Sequence, residues 1–365
     1  MMASKKYSYI LLFNLLLALV IVAPVKAVEE SNNKVDILGK LQNHSYLDFT
    51  PIGKLELPLL FKDQDGWHFF SSTTAAINSN QGYTDEHYLA HPNADKKIVN
   101  GVIKPIAYHL VREDGGHIDY NFSFSSHLAF FLLSGIVLGL IAFPLKSKYT
   151  SGIGRTSEPK GTFQNMFETL ILFVRDDLAR PNIGEKKYLF FTPYLLTAFF
   201  MILFMNLFGL IPFGVSSTAD VTITAALATM TFLITQIFAS KDHWMHIFWF
   251  PGVPTPIRFI LLPVEIVGQF TKPFALAIRL FANMASGKVL VYSIIGLIFV
   301  FANLFGDAVA YGTSPIVIAF ALFIFVIKVV VSFLQAYIFT MLSALFIGMA
   351  VAEHEHDHDH EHRSH

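Results

Sequence analysis

The sequence predicts an all-α integral membrane protein. It would have five membrane-embedded helices, the last two long and oblique, an amphipathic interfacial helix, and a small, partly β region outside the membrane. Three observations carry this. Hydrophobic residues make up 53% of the 365 positions and charged residues only 15%, against about 25% charged in a soluble domain. Apolar stretches long enough for a hydrocarbon core of about 30 Å recur from residue 127 onward. Two of them, 259–302 and 315–352, far exceed the length that one crossing needs. The net charge of −1 gives no reason to expect a nucleic-acid partner. The absence of cysteine excludes disulfides, thiol catalysis and thiolate metal sites. No internal repeat at a fixed period is visible.

Residues 1–27 carry Lys5 and Lys6, then an apolar run from Ile10 to Val22, and end Val25-Lys26-Ala27. This is the pattern of a secretory signal peptide, with a permanent first span as the alternative. Residues 28–126 are polar. Leu55-Glu56-Leu57 and Ile118–Phe124 alternate as strands do, and Asp63-Gln64-Asp65-Gly66 and Asp114-Gly115-Gly116 are turn sequences. His44, His68, His87, His91, His109 and His117 fall here without metal-ligand spacing and read as surface histidines.

The first span covers about 127–145. Lys146, Lys148, Arg155 and Lys160 follow it and mark the cytoplasmic side. Over 162–179, Phe163, Met166, Phe167, Leu170, Ile171 and Val174 recur at helical spacing, as in a helix lying at the interface. The second span is Tyr188–Ile211, with Asn206 inside it. The third is Asp220–Ser240. Asp220 is either a helix N-cap or part of an ion path. An aromatic and proline-rich loop, His243 to Pro256, is expected on the inside.

Residues 259–302, if helical, would run roughly 66 Å at about 1.5 Å per residue. Glu265, Lys272, Arg279 and Ser286 are spaced by seven and share one face, with Asn283 a turn beyond the arginine. An arginine at the bilayer centre costs about 2.5–3.5 kcal/mol on insertion scales. It could snorkel to an interface, but Leu-Ala-Ile and Leu-Phe-Ala bracket it. The sharper reading is that Arg279 faces a partner's carboxylate or a polar path. The next loop, Asn303–Ser314, has no Lys or Arg. In 315–352, Lys328 and Gln335 share a face, with Ser332 and Ser343 as further polar members. Two overlong helices with facing polar residues suggest a surface for a large partner in the membrane. The tail, 353–365, alternates acids with His354, His356, His358, His360 and His362. Weak Zn²⁺ or Ni²⁺ binding there is set against a plain solvated tail, and five crossings place the tail inside.

Five ordered motifs resemble subunit a of the F-type ATP synthase, bacterial type with an N-terminal extension. They are Arg-Leu-Phe-Ala-Asn-Met-Ala-Ser-Gly at 279–287, and the stretches 334–343, 168–184, 192–212 and 217–228. The resemblance covers about 125–352. It implies a stator subunit, catalytically inert alone and without cofactor, working with the c-ring, the b subunits of the peripheral stalk and the rest of the FoF1 complex in a bacterial inner membrane. It also implies a periplasmic 28–126 region and a cytoplasmic C-terminus. Position by position, Arg279 resembles the stator arginine facing the ion-binding carboxylate of the ring. Asn283 and Gln335 resemble the polar residues beside it, Glu265 a carboxylate on the cytoplasmic side, and Asp220 an aspartate toward the outer half-channel. Lys288 and Lys328 depart from the family pattern, which often has Glu or His there. A lysine is a poor proton relay near neutral pH, so Asp220 is expected to pair with one or both. The carried ion is H⁺, with Na⁺ as the alternative. A secondary transporter would normally show repeats or paired broken helices, and a scaffold has no reason to hold Arg279, Glu265 and Gln335 at membrane depth. No phosphate-binding loop of the Walker type occurs.

Overall fold

In a computed structural model, the described residues are 45–49, 53–79, 81–90, 98–99, 102–105, 109–114, 120–151, 161–211, 214–249 and 255–352. The expected signal peptide, Arg155, Lys160, the three histidines His44, His91 and His117, and the His-rich tail lie outside them.

The first part is a set of small antiparallel sheets. Strand β1 (Tyr46–Phe49) pairs with β2 (Gly53–Glu56), and β3 (Leu59–Asp63) pairs with β4 (Gly66–Phe70). Helix α1 (Thr73–Ile77) starts on Ser72, whose hydroxyl accepts the Ala75 N–H. Then come β5 (Tyr83–Asp85), α2 (Glu86–Ala90), β6 (Ile98–Val99), β7 (Val102–Ile103), β8 (Leu110–Arg112) and β9 (Tyr120–Asn121). β5 pairs with β8, β6 with β7, and β9 adds to β3, giving the order β4-β3-β9. The turn expected at Asp63–Gly66 joins β3 to β4. It is closed by the Asp65 N–H on Asp63 Oδ1 (2.9 Å) and by Gly66 at φ +126°, where other residues are strained. The strand period puts Leu59 and Phe61 inward against Ala76 and Tyr83.

Asp63 ties this module together. Its side chain is fully buried and accepts from the Tyr83 hydroxyl (2.5 Å), from Arg112 Nη1 (2.8 Å) and from the Asp65 N–H, with His68 Nε2 at 3.0 Å. Burial alone would raise its pKa. The donors from Tyr83, Asp65 and Arg112 outweigh it and bring the carboxyl down to about 2. Burial and the same carboxylate push the Tyr83 phenol up. His68 therefore departs from the surface histidine the sequence suggests: it stacks against both Phe61 and Phe70 and bonds Asp63. A carboxyl depressed in the folded state stabilises above its unfolded pKa near 4 and loses that contribution as pH falls toward 2. The stake is on the order of 1–2 kcal/mol. Amide-exchange protection at Phe61 and Tyr83 in the full chain should hold down to about pH 4 and decline below it.

The membrane part starts at once. Ser125 caps α3 (Ser126–Thr150), its hydroxyl accepting the Leu128 N–H. Helix α4 (Thr162–Leu172) widens into a π segment (Phe173–Ala179) and continues as α5 (Arg180–Ile183), which Gly184 ends at φ +90°. The expected 162–179 helix is thus present and prolonged by a turn. α6 (Tyr188–Leu210) is apolar all round and accordingly central: Leu195, Phe199, Met201, Ile202 and Met205 are fully buried. A 3₁₀ turn (Ser217–Ala219) leads to Asp220, which caps α7 (Val221–Ile237) by accepting the Thr222 N–H at 2.7 Å. The predicted aromatic loop contains a helix, α8 (Lys241–Trp249), opened by the Ser240 hydroxyl accepting the His243 N–H.

α9 (Thr255–Phe305) and α10 (Asp307–Val351) are the two overlong helices. The loop expected at 303–314 is not a loop. A single residue, Gly306 at φ +85°, separates the two helices, and the stretch beyond it is the first turns of α10. Among the described residues four helices are long and apolar enough to cross a membrane, and α7 is a shorter apolar fifth. The core runs through α3, α6, α7, α9 and α10, and it includes Leu276 and Leu280 of α9 and Phe339 and Ile347 of α10.

Candidate functional site

Arg279 stands at the midpoint of α9. Leu276, Ala277 and Leu280 around it are buried toward the core, whereas Arg279, Phe274 and Ile278 are exposed on the opposite face. Among the described residues no carboxylate lies within ion-pair distance of the guanidinium. The arginine borders a groove of about 460 Å³ whose lining includes Val267, Lys272, Leu342 and Phe346. Lys272 sits with its ammonium 5.8 Å from the Phe346 ring centroid, a cation–π contact. Two turns before Lys272, Glu265 is half-buried and accepts from Gln269 Nε2 (3.3 Å). The seven-residue spacing has thus placed Glu265, Lys272, Arg279 and Ser286 along one open edge of α9.

The inner edge of the same helix is polar and closed. Asn283 Nδ2 donates to Gln335 Oε1 (3.2 Å), joining α9 to α10. Lys328 donates from Nζ to the Asn283 main-chain carbonyl (2.9 Å). It reaches that carbonyl because Gly287, a turn along, has no side chain: a Cβ there would overlap the lysine's ammonium end. Gln335 is buried, and its Nε2 has no hydrogen-bond partner among the described residues. An unmet buried donor costs about 1–3 kcal/mol. Lys288 is half-buried beside Gly287. Asp220 pairs with neither lysine: no ion pair within 4 Å joins them, Asp220 being engaged as a cap and Lys328 on Asn283.

A buried polar ladder completes the arrangement, and most of it escaped sequence reasoning. His127 Nδ1 donates to the Ser216 carbonyl (3.0 Å), and the Ser217 hydroxyl donates back to the His127 carbonyl (2.8 Å). Thr218 donates to Asn206 Oδ1 (2.7 Å), and Asn206 Nδ2 reaches the Ser332 carbonyl (3.3 Å). Ser332 donates to the Lys328 carbonyl (2.8 Å). These groups are buried, and they lead from the start of α3 through α6 to the Lys328–Asn283–Gln335 junction. The available signal was the Ser216-Ser217-Thr218 run beside Asp220 and an asparagine in an apolar span.

The sequence profile of the family described as ATP synthase A chain matches residues 126–348, which takes in every helix that builds this junction. The chain belongs to the ATP synthase A chain family. Relatives named ATP synthase subunit a agree. That of Chloroherpeton thalassium is 44% identical over 248 residues, 67% of this chain and 71% of its own. That of Anaeromyxobacter dehalogenans is 48% identical over 204 residues, 54% of this chain and half of its own. ATP synthase subunit a 2 of Chlorobaculum tepidum is 42% identical over 239 residues, 64% and 65% of the two chains.

Subunit a is a non-catalytic membrane subunit of ATP synthase, and the observed apolar helices agree with a multi-pass membrane protein. All seven residues singled out from the sequence, Asp220, Glu265, Arg279, Asn283, Lys288, Lys328 and Gln335, fall within the ATP synthase A chain match. Asn283, Lys328 and Gln335 are brought together, Arg279 and Glu265 lie along the open edge, and Asp220 stands at a helix end. The β module lies outside the match. Among the described residues no group of three or more His, Asp or Glu is placed to hold a metal ion.

Proposed function

We propose that this chain is the ion-translocating stator subunit of the membrane sector of an ATP synthase, forming two half-channels against a rotating c-ring. One observation carries the reading: an arginine without an ion-pair partner among the described residues sits on the open face of a helix pair much longer than a bilayer, with a polar junction directly behind it. A ring carboxylate must be neutral to travel through lipid. Opposite Arg279 it can ionise, because a positive neighbour lowers its pKa. The guanidinium stays charged, so it separates the entry route from the exit route rather than relaying protons itself. The polar ladder from His127 to Lys328 supports an entry route on the side of the β module. The Glu265 edge supports the exit on the other side. In this reading the β module is periplasmic, the C-terminus is cytoplasmic, and the b subunits of the peripheral stalk hold the chain still.

The test is ATP-driven acidification of inverted vesicles carrying the whole complex, compared between wild type and Arg279→Ala with assembly checked. Dependence of the ATPase rate on Na⁺ at fixed pH would assign the ion as Na⁺ instead of H⁺.

Asp220 offers a clean second test. Asparagine caps a helix about as well as aspartate, so Asp220→Asn removes charge while keeping the Thr222 bond. If the carboxylate takes part in ion entry, pumping in this variant falls at least about tenfold, one rate decade being 1.4 kcal/mol, at unchanged subunit content. Unchanged pumping would leave Asp220 as a cap alone.

A further inference from the structure

The three-stranded sheet β4-β3-β9 has one face in the module's core and a second face that nothing among the described residues covers. The register sets that second face: Leu60 is opposite Phe69, and Lys62 is opposite Trp67 on one side and Tyr120 on the other. Phe122 extends it, its ring 5.6 Å from that of Trp67. Trp67 is 60% exposed and Phe69 69% exposed. An antiparallel sheet with one solvated face normally alternates apolar inside and polar outside. Here the second face is apolar too, and among the described residues Lys62 is its only charged member. A contiguous exposed aromatic patch of this kind marks an interaction surface.

The chain's own continuity identifies what covers it. After β9 the strand does not leave the sheet: the Phe122 N–H bonds the Leu60 carbonyl (2.8 Å) and the Phe124 N–H bonds the Pro58 carbonyl (3.0 Å). The next residue, Ser125, is the cap of the membrane helix α3. The sheet is therefore fused to the outer end of the first span with no slack. By the strand period Tyr120, Phe122 and Phe124 point the same way, and Phe124 already packs against the core of the membrane helices. The uncovered face thus continues, two residues at a time, into the membrane domain. Trp, Tyr and Lys are the residues that settle at the headgroup level of a bilayer.

We propose that this face, with Trp67 and Phe69 at its centre, lies on the lipid headgroup layer on the module's own side of the membrane, making the β module a surface anchor for α3. The bilayer is favoured over a protein partner because the face carries positive charge only and is tied directly to a span. The inference does not rest on the ion-path reading and survives its failure.

The chain has no cysteine, so single spin labels can be placed cleanly. In the full chain reconstituted in phospholipid vesicles, a label at Phe69→Cys should be more accessible to oxygen than to a water-soluble nickel chelate. A label at Glu113→Cys, on an exposed residue beside the turn after β8, should show the reverse. Water-like accessibility at both positions would overturn the proposal. So would protection of position 69 from both reagents, which would mean that a protein, or a second copy of the chain, covers the face. Should the labelled chain fail to fold, Trp67 fluorescence in a chain with Trp244→Phe and Trp249→Phe serves instead. Quenching by lipids brominated near the headgroup supports the proposal, and unquenched emission overturns it.

Discussion

Arg279→Ala should abolish ATP-driven proton pumping while leaving the complex assembled. The two halves of this expectation have separate origins. Assembly is spared because Arg279 is exposed and no ion-pair partner among the described residues depends on it. Substitutions at such positions are usually within about 0.5 kcal/mol. The helix is held from its other side, by Leu276 and Leu280 in the core and by the Asn283–Gln335 bond. Pumping is lost because a positive neighbour lowers a carboxylate's pKa by about 1–3 units. Without the arginine the protonated-to-ionised ratio of a ring carboxylate at this position rises about 10- to 1000-fold, so release toward the exit side stalls. Arg279→Lys keeps the charge but replaces a planar fork by a flexible point charge that hydrates strongly. It should recover only a small part of the pumping. Dye quenching in inverted vesicles, normalised to subunit content, reads both variants. Full pumping by the alanine variant would remove Arg279 from the mechanism.

Why was so much of this legible in advance? The spans were visible because hydrocarbon demands apolar length, and the site was visible because charge in that length is costly: Arg279, Glu265, Lys272 and Lys328 had to be explained by something. The seven-residue spacing then put Glu265, Lys272, Arg279 and Ser286 on one edge of α9. What the sequence hid depends on contacts far apart in the chain. The bond from Lys328 to a main-chain carbonyl depends on a missing side chain at Gly287. Asn206 joins the polar ladder only because α6 is central and meets both Thr218 and Ser332. The absence of a real loop at 303–314 turns on one glycine at positive φ. A loop without Lys or Arg looks the same in composition as two helix ends meeting at a hinge. His68 departs from its expected surface position for a similar reason. Nothing local tells a surface histidine from one seated on a carboxylate that Tyr83 and Arg112 also hold.

The second large effect is expected far from the ion path, at Gly348. Near its end α10 crosses α5 so closely that a Cβ on Gly348 would overlap the Asn182 carbonyl and press on the backbone of Ile183. Those are main-chain atoms of a short helix pinned by the π segment before it and Gly184 after it, so no side chain can swing aside. The whole end of α10 would have to move, and it is tied down around this point. Lys187 Nζ donates to the Val351 carbonyl (3.0 Å), the Ser240 N–H to the Ala350 carbonyl (2.8 Å) and the Ser240 hydroxyl to the Ala352 carbonyl (2.9 Å). Overpacking of this kind typically costs about 1–3 kcal/mol and sometimes more. Gly348→Ala should therefore lower the heat stability of the purified complex and cut the amount of chain assembled. Gly312→Ala on the same helix, where nothing lies within 4 Å of the added methyl, should be neutral or slightly stabilising, since alanine is the better helix former by about 1 kcal/mol. What Gly348→Ala does to function follows from geometry. Gln335 lies less than four turns back along α10, and its bond to Asn283 sets the spacing of the two helices behind Arg279. A displaced α10 end should then lower pumping per assembled complex as well as the number of complexes. If Gly348→Ala assembled and pumped like wild type, the close approach of α5 and α10 could not be what positions Gln335.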